Sequence, residues 1–116
     1  ESNTGLTLNL ALNYGGRAEL VRAMQQMARK IEGGELCVGE INEEIINQHL
    51  YTSGLPDPDL IIRTSGEKRL SNFLLWQAAY AEFYYTEVLW PDFTKEDFVQ
   101  CLDNFKNVSR RFGKRI

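Results

Sequence analysis

Cysteine and histidine are scarce: Cys37, Cys101 and His49 are the whole supply in a chain of 116 residues. The two thiols lie far apart and form no Cys-x-x-Cys spacing, which fits a reducing compartment better than a disulfide framework. His49 has no second histidine or cysteine near it, so a structural or surface role is expected rather than zinc ligation. No apolar run reaches the about 18 residues of a membrane span. Glu1 to Gly5 show neither the cationic start nor the apolar centre of a secretory leader, and none is expected. A basic excess is also missing. Lysine and arginine number 13 against 16 aspartates and glutamates, a net charge of −3. That balance lacks the global field of a nucleic-acid binder, so a local cationic cluster reads as a small-anion site or as solvated surface. There is no internal repeat and no low-complexity tract.

What is present suits a folded domain: 43% hydrophobic and 25% charged residues, in a length that allows one modest core and not two. Residues 6–12 alternate leucine with smaller side chains at period two, the pattern of a strand. Asn13-Tyr14-Gly15-Gly16-Arg17 breaks it. A helix is expected over residues 18–31, with Leu20, Met24, Met27, Ala28 and Ile31 at helical spacing and Gly33-Gly34 to end it. A second helix is expected over 41–50. Pro56 and Pro58 make the next stretch a loop. Residues 59–62 read as a strand, 71–81 as an apolar helix, and 83–86 as an aromatic strand. Thr94, with Asp97 in the capping-box position, starts a last helix. It places Phe98, Cys101, Leu102, Phe105, Val108 and Phe112 on one face and ends in a basic tail. Strands separated by helices predict an α/β fold with a helix-covered, mostly parallel sheet. Three strands are a thin sheet, and the first has no earlier element to cover its edge. The whole of 1–116 is therefore expected to be the C-terminal portion of a larger single domain.

Four places could carry chemistry. Ligands of open α/β sheets sit beyond the carboxyl ends of the strands. The expected strand at 59–62 runs into Arg63, Thr64, Ser65, Gly66, Glu67, Lys68, Arg69, Leu70 and Ser71. Arginine's fork matches two phosphate oxygens at once, and the N-terminus of the expected next helix also favours an anion. This makes a phosphate or diphosphate site. The plainer account is a solvated turn in which Arg63 and Arg69 pair with Glu67. Glu82 follows the apolar stretch; it is either a carboxylate for a hard cation such as Mg²⁺ or an ordinary solvent-facing residue. Asn13 to Arg17 is either a phosphate-cradling turn or a tight strand-to-helix connection. The tail Arg110 to Arg115 either complements a helix dipole or reaches out to an anion. Trp76, Tyr80, Tyr84, Tyr85 and Trp90 are expected in the core.

The run Arg63-Thr64-Ser65-Gly66-Glu67-Lys68-Arg69-Leu70-Ser71-Asn72-Phe73-Leu74-Leu75-Trp76-Gln77 resembles the signature of the cis-prenyltransferases, of the undecaprenyl diphosphate synthase type. The resemblance continues through Tyr80-Ala81-Glu82, Val88-Leu89-Trp90-Pro91-Asp92-Phe93, Asn13-Tyr14-Gly15-Gly16-Arg17 and Arg110-Arg111-Phe112-Gly113, and so spans nearly the whole chain. It implies a transferase that condenses isopentenyl diphosphate with an allylic diphosphate. By that resemblance, Arg63, Arg69 and Ser71 hold the diphosphate of isopentenyl diphosphate, with Leu70 between the last two. Glu82 contributes to a Mg²⁺ site, across a dimer interface. Arg111 and Gly113 match an Arg-x-Gly ending that folds toward the partner subunit's diphosphate. It further implies a homodimer in the cytoplasm, with peripheral membrane contact through the lipid product.

Three departures qualify the likeness. Lys68 stands where many bacterial members carry a histidine metal ligand, and a protonated lysine cannot ligate Mg²⁺. Ala18-Glu19 replaces the Trp-Asp that often follows Gly-Gly-Arg. The family's His-Asp-Gly-Asn-Gly-Arg-Trp motif, which carries the catalytic aspartate, occurs nowhere in the chain. This chain alone is therefore expected to be inactive. Two rival readings remain: a non-catalytic prenyltransferase-like subunit, and an unrelated phosphate-binding module.

Overall fold

The computed structural model describes residues 5–107. Helix α1 spans Gly16–Glu32. Ala23 and Met27 are buried on it, while Leu20 and Ile31 pack partly buried alongside. This is the apolar stripe of an amphipathic helix, although Met24, expected on that face, is exposed. Glu19 in the first turn and Arg29 and Lys30 in the last suit the helix dipole. The helix stops where the Gly33 N–H returns to the Arg29 carbonyl and Gly34 turns to a φ of 77°.

A 3₁₀ turn over Val38–Glu40 leads to the short helix α2, Glu43–Gln48, capped by the Asn42 side chain. Leu36 and Leu50 join Ala23 and Met27 in the main core, with Ile41, Ile45, Ile46 and Trp76 packed around them. His49 is buried beside it. One ring nitrogen meets the Ile45 carbonyl at 2.7 Å and the other the Lys30 ammonium at 2.9 Å, the structural role expected of it.

Strands β1, Leu60–Arg63, and β2, Glu82–Tyr85, pair in parallel, Leu60 opposite Glu82 and Arg63 opposite Tyr85. Helix α3, Lys95–Lys106, follows a 3₁₀ turn at Trp90–Asp92. Thr94 and Asp97 cap it reciprocally, as the sequence predicts. It lies against β2 and buries Cys101 completely. Burial, and secondarily Asp97, pushes that thiol's pKa up. The class is α/β with a parallel sheet, as expected, but two expected elements are missing.

Residues 6–11 form no strand, and the sheet of the described residues has two strands, not three. A period-two segment becomes a strand only when a neighbour takes its backbone hydrogen bonds. Here Leu6, Leu8, Leu10 and Leu12 stand 78–87% exposed. Residues 71–80 run as turns and bends instead of a helix. The reason is local: Ser71, Asn72 and Leu74 have φ of 52°, 67° and 49°, which a right-handed helix forbids. Tyr80 and Trp90, expected inside, are exposed at 56% and 69%, and Tyr85 also reaches solvent.

Candidate anion-binding loop and the buried hub behind it

The loop of residues 64–71 leaves the carboxyl rim of the sheet, where Arg63 and Tyr85 end the two strands together. Its first half is pinned to the segment after β2. Ser65 and Gly66 donate their N–H groups to the carbonyls of Val88 at 2.9 Å and Thr86 at 2.8 Å. Both residues sit at positive φ, 66° and 71°, so a tight turn brings the chain back toward the sheet. The second half is closed by a side chain: Arg63 Nη1 donates to the Arg69 carbonyl at 3.1 Å. Both arginines therefore belong to one small loop.

Their guanidinium groups have different partners. Arg69 Nε lies 3.3 Å from Glu67 Oε2, with the arginine side chain 76% exposed. Such a pair contributes about 0–1 kcal/mol, so an incoming anion can displace Glu67 at little cost. Lys68 is exposed, Leu70 half-buried and Ser71 exposed. The solvated-turn account thus fits Arg69 with Glu67, whereas Arg63 commits one guanidinium nitrogen, Nη1, to the backbone.

Glu82 lies at the opposite rim. It is the first residue of β2, half-buried, with its N–H on the Asp59 carbonyl at 2.9 Å. Three residues of strand, about 10 Å, separate it from the end that carries the loop. Among the described residues no three His, Cys, Asp or Glu side chains gather to hold a metal ion. Arg111 and Gly113, with the rest of the basic tail, lie outside the described residues.

The Gly-Gly turn also takes a definite form. Gly16 N–H donates to the Asn72 carbonyl at 2.7 Å, and Arg17 N–H to Asn72 Oδ1 at 2.8 Å. The start of α1 is filled by another part of the chain, so the tight-connection reading accounts for this turn.

A buried polar hub around Glu19 is a feature that sequence reasoning missed. Glu19 is 1% exposed. Its carboxylate accepts from the Tyr14 phenol, from the Tyr51 N–H at 2.7 Å and from Gln77 Nε2 at 3.1 and 3.3 Å. Gln77, itself buried, also donates to Thr52 Oγ1 at 3.0 Å. Burial first, then the neighbouring Glu19 carboxylate, pushes the Tyr14 phenol well above its ordinary pKa of 10.0. Three chain segments meet at one carboxylate, which is how a buried charge is made tolerable. Gln77 Oε1 is the one buried side-chain polar atom without a partner among the described residues. Gln77 lines a cavity of about 550 Å³ together with Asn9, Tyr14, Thr52, Pro56 and Phe73. The available signal was a lone amide inside an apolar run, since buried polar groups are almost always bonded.

Against this geometry stand the comparisons with known proteins. The Prenyltransf family model, that of undecaprenyl diphosphate synthase, matches residues 1–113. An isoprenyl transferase of Clostridium perfringens is 53% identical over 97% of this chain and 45% of its own length. The ditrans,polycis-undecaprenyl-diphosphate synthase of Micrococcus luteus, farnesyl-diphosphate specific, is 52% identical over 96% of this chain and 45% of its own. In structure, the lavandulyl diphosphate synthase of Lavandula x intermedia, solved in complex with dimethylallyl diphosphate, superposes with a TM-score of 0.93 at 43% identity. That match covers 97% of this chain and 49% of the other. The chain spans about half the length of the relatives it matches.

Proposed function

The chain belongs to the undecaprenyl diphosphate synthase family of prenyltransferases, and from that premise we propose that it is the isopentenyl diphosphate-binding part of a cis-prenyl elongating enzyme. The observation that carries this reading is the loop of residues 64–71, closed by Arg63 on the Arg69 carbonyl at the rim of a parallel sheet. Arg63, Arg69 and Ser71 hold the diphosphate, and Leu70, half-buried, anchors the loop between the last two. Lys68 neutralises phosphate charge where a histidine would have bound metal.

The reaction is an electrophilic alkylation. The carbon–oxygen bond of the allylic diphosphate breaks, and its electron pair leaves with the diphosphate. The alkene of isopentenyl diphosphate bonds to the allylic carbon, and a proton leaves to set the new double bond. Holding both substrates in register supplies the proximity part of the acceleration. Cationic side chains aimed at the diphosphates supply the electrostatic part. This chain alone carries no His-Asp-Gly-Asn-Gly-Arg-Trp motif, so condensation requires more than these residues.

Mg²⁺ belongs to the same proposal, with Glu82 as the carboxylate offered to it. A single carboxylate fits, because Mg²⁺ is commonly held by one or two carboxylates with waters and substrate phosphates completing its shell. When bound, the ion neutralises charge on a departing diphosphate. Glu82 sits at the far rim from its own loop; that separation supports its serving the site of a second subunit, in a homodimer to which Arg111 and Gly113 also contribute. Cytoplasmic location with peripheral membrane contact through the lipid product completes the reading. No helix among the described residues is long and apolar enough to cross a membrane.

Steady-state kinetics of Arg69→Ala in the full-length enzyme test the assignment. KM for isopentenyl diphosphate should rise at least tenfold, with KM for the allylic substrate little changed. Equal effects on both substrates would move Arg69 to a general structural role.

A further inference from the structure

The residue that directly follows the proposed diphosphate loop, Asn72, is tied to the start of helix α1. Helix α1 has no cap of its own, because its N-cap residue is Gly15 and no side chain bonds there. The first N–H groups of any helix need outside acceptors. Asn72 supplies two: its carbonyl takes Gly16 N–H at 2.7 Å, and its Oδ1 takes Arg17 N–H at 2.8 Å. The capping residue therefore comes from far along the chain, directly after Ser71.

Asn72 is suited to both parts of this task. It sits at a φ of 67°, next to Ser71 at 52°, in the left-handed region that asparagine enters more readily than other residues with side chains. Its short amide is also a good helix-capping acceptor. The glycines opposite leave it room. A Cβ on Gly15 would lie 3.0 Å from Asn72 Nδ2, and one on Gly16 would lie 2.7 Å from Leu75 Cγ and 3.1 Å from the Asn72 carbonyl. The Gly-Gly-Arg turn is thus shaped to receive Asn72, and the N-terminus of α1 is occupied by an amide.

We propose that Asn72 is a positioning residue for isopentenyl diphosphate: by capping α1 from a distance it splints the end of the loop and sets where Arg69 and Ser71 stand. This rests on the reading of residues 63–71 as the diphosphate site. Asn72 need not touch the ligand. Its left-handed conformation and its bond to Arg17 do the work, and the two are separable by substitution. Asn72→Gly keeps the conformation and deletes the side-chain acceptor. Asn72→Asp keeps the acceptor.

The test uses the full-length enzyme and two readouts, steady-state kinetics with isopentenyl diphosphate and amide hydrogen exchange at the start of α1. Asn72→Gly should raise KM for isopentenyl diphosphate about fivefold, the size of one net hydrogen bond, change kcat less than twofold, and speed exchange at Arg17. Asn72→Asp should return KM and exchange to within about twofold of the parent. Faster exchange with an unchanged KM in Asn72→Gly would overturn the proposal, and so would an Asn72→Asp variant as impaired as Asn72→Gly. Arg69→Ala run in parallel separates the two levels. If it raises KM while Asn72→Gly does not, only the positioning role fails. If Arg69→Ala leaves KM unchanged, the site reading fails and takes this inference with it.

Discussion

Two carboxylates of this chain, Glu19 and Glu67, live under opposite rules. Glu19 is sealed inside, with Tyr14, Tyr51 and Gln77 all donating to it. Glu67 is on the surface with one ion pair, to an arginine that is mostly in water. Burial makes every donor around Glu19 matter, because a donor left unpaired in low dielectric costs about 1–3 kcal/mol. Exposure makes the Glu67–Arg69 pair nearly neutral in energy. The hub therefore joins three segments through buried bonds, whereas the loop's internal pair is lost at little cost. Substitutions in the first region should register in stability, and those in the second in ligand affinity.

The largest expected effect breaks the hub. Glu19→Ala leaves the Tyr14 phenol, the Tyr51 N–H and the Gln77 amide without their acceptor, and should destabilise the full-length protein by about 3 kcal/mol in urea unfolding. A loss below about 0.5 kcal/mol would place the hub among ordinary surface features. Next in size is Gly16→Ala, whose new methyl meets Leu75 and the Asn72 carbonyl. Overpacking of this kind should cost about 1–3 kcal/mol, and unchanged stability would mean that the turn at 71–75 yields freely.

Tyr14→Phe is expected to cost about 1.5 kcal/mol, one hydrogen bond to a charged group. It also carries a pH signature. The folded-state phenol has its pKa raised above the ordinary 10.0. Below pH 10 both states hold the proton and the stabilisation is complete. Above it the unfolded chain loses the proton first, so stability should fall as pH rises through 10 and beyond. Tyr14→Phe should lessen that alkaline fall, and an identical pH profile in the two proteins would contradict the hub geometry. Smallest of all is Glu67→Gln, expected within about 0.5 kcal/mol of the parent in stability, with KM for isopentenyl diphosphate no higher. A clear destabilisation would erase the contrast between the regions.

Legibility in the sequence follows the range of the interactions. Helix α3 was readable because Thr94 and Asp97 lie within one turn, and α1 because its apolar stripe repeats locally. The parallel pairing of β1 and β2 agrees with the expectation from strands separated by helices, although turns replace the helix expected between them. The failures have two causes: a strand pattern that needed a distant partner, and an apolar run whose backbone turns locally. Residues 6–12 alternate correctly but have no strand beside them among those described. Residues 71–81 look helical by apolar content, yet an apolar run does not by itself distinguish helix from other buried structure. Their backbone is turned by Ser71, Asn72 and Leu74. Arg63 and Arg69 were readable as one loop, whereas Glu82 was not readable as lying at the other rim until the register was known. The meeting of Glu19 with Gln77, and of Arg17 with Asn72, joins residues more than fifty positions apart, and no local pattern announces either.

In the proposed function, the rim loop receives a diphosphate through Arg69. Calorimetric titration of isopentenyl diphosphate into the full-length enzyme and its Arg69→Ala variant tests it most directly. Binding should be at least tenfold weaker in the variant, with an unaltered unfolding midpoint; equal dissociation constants would rule out Arg69 as a diphosphate ligand.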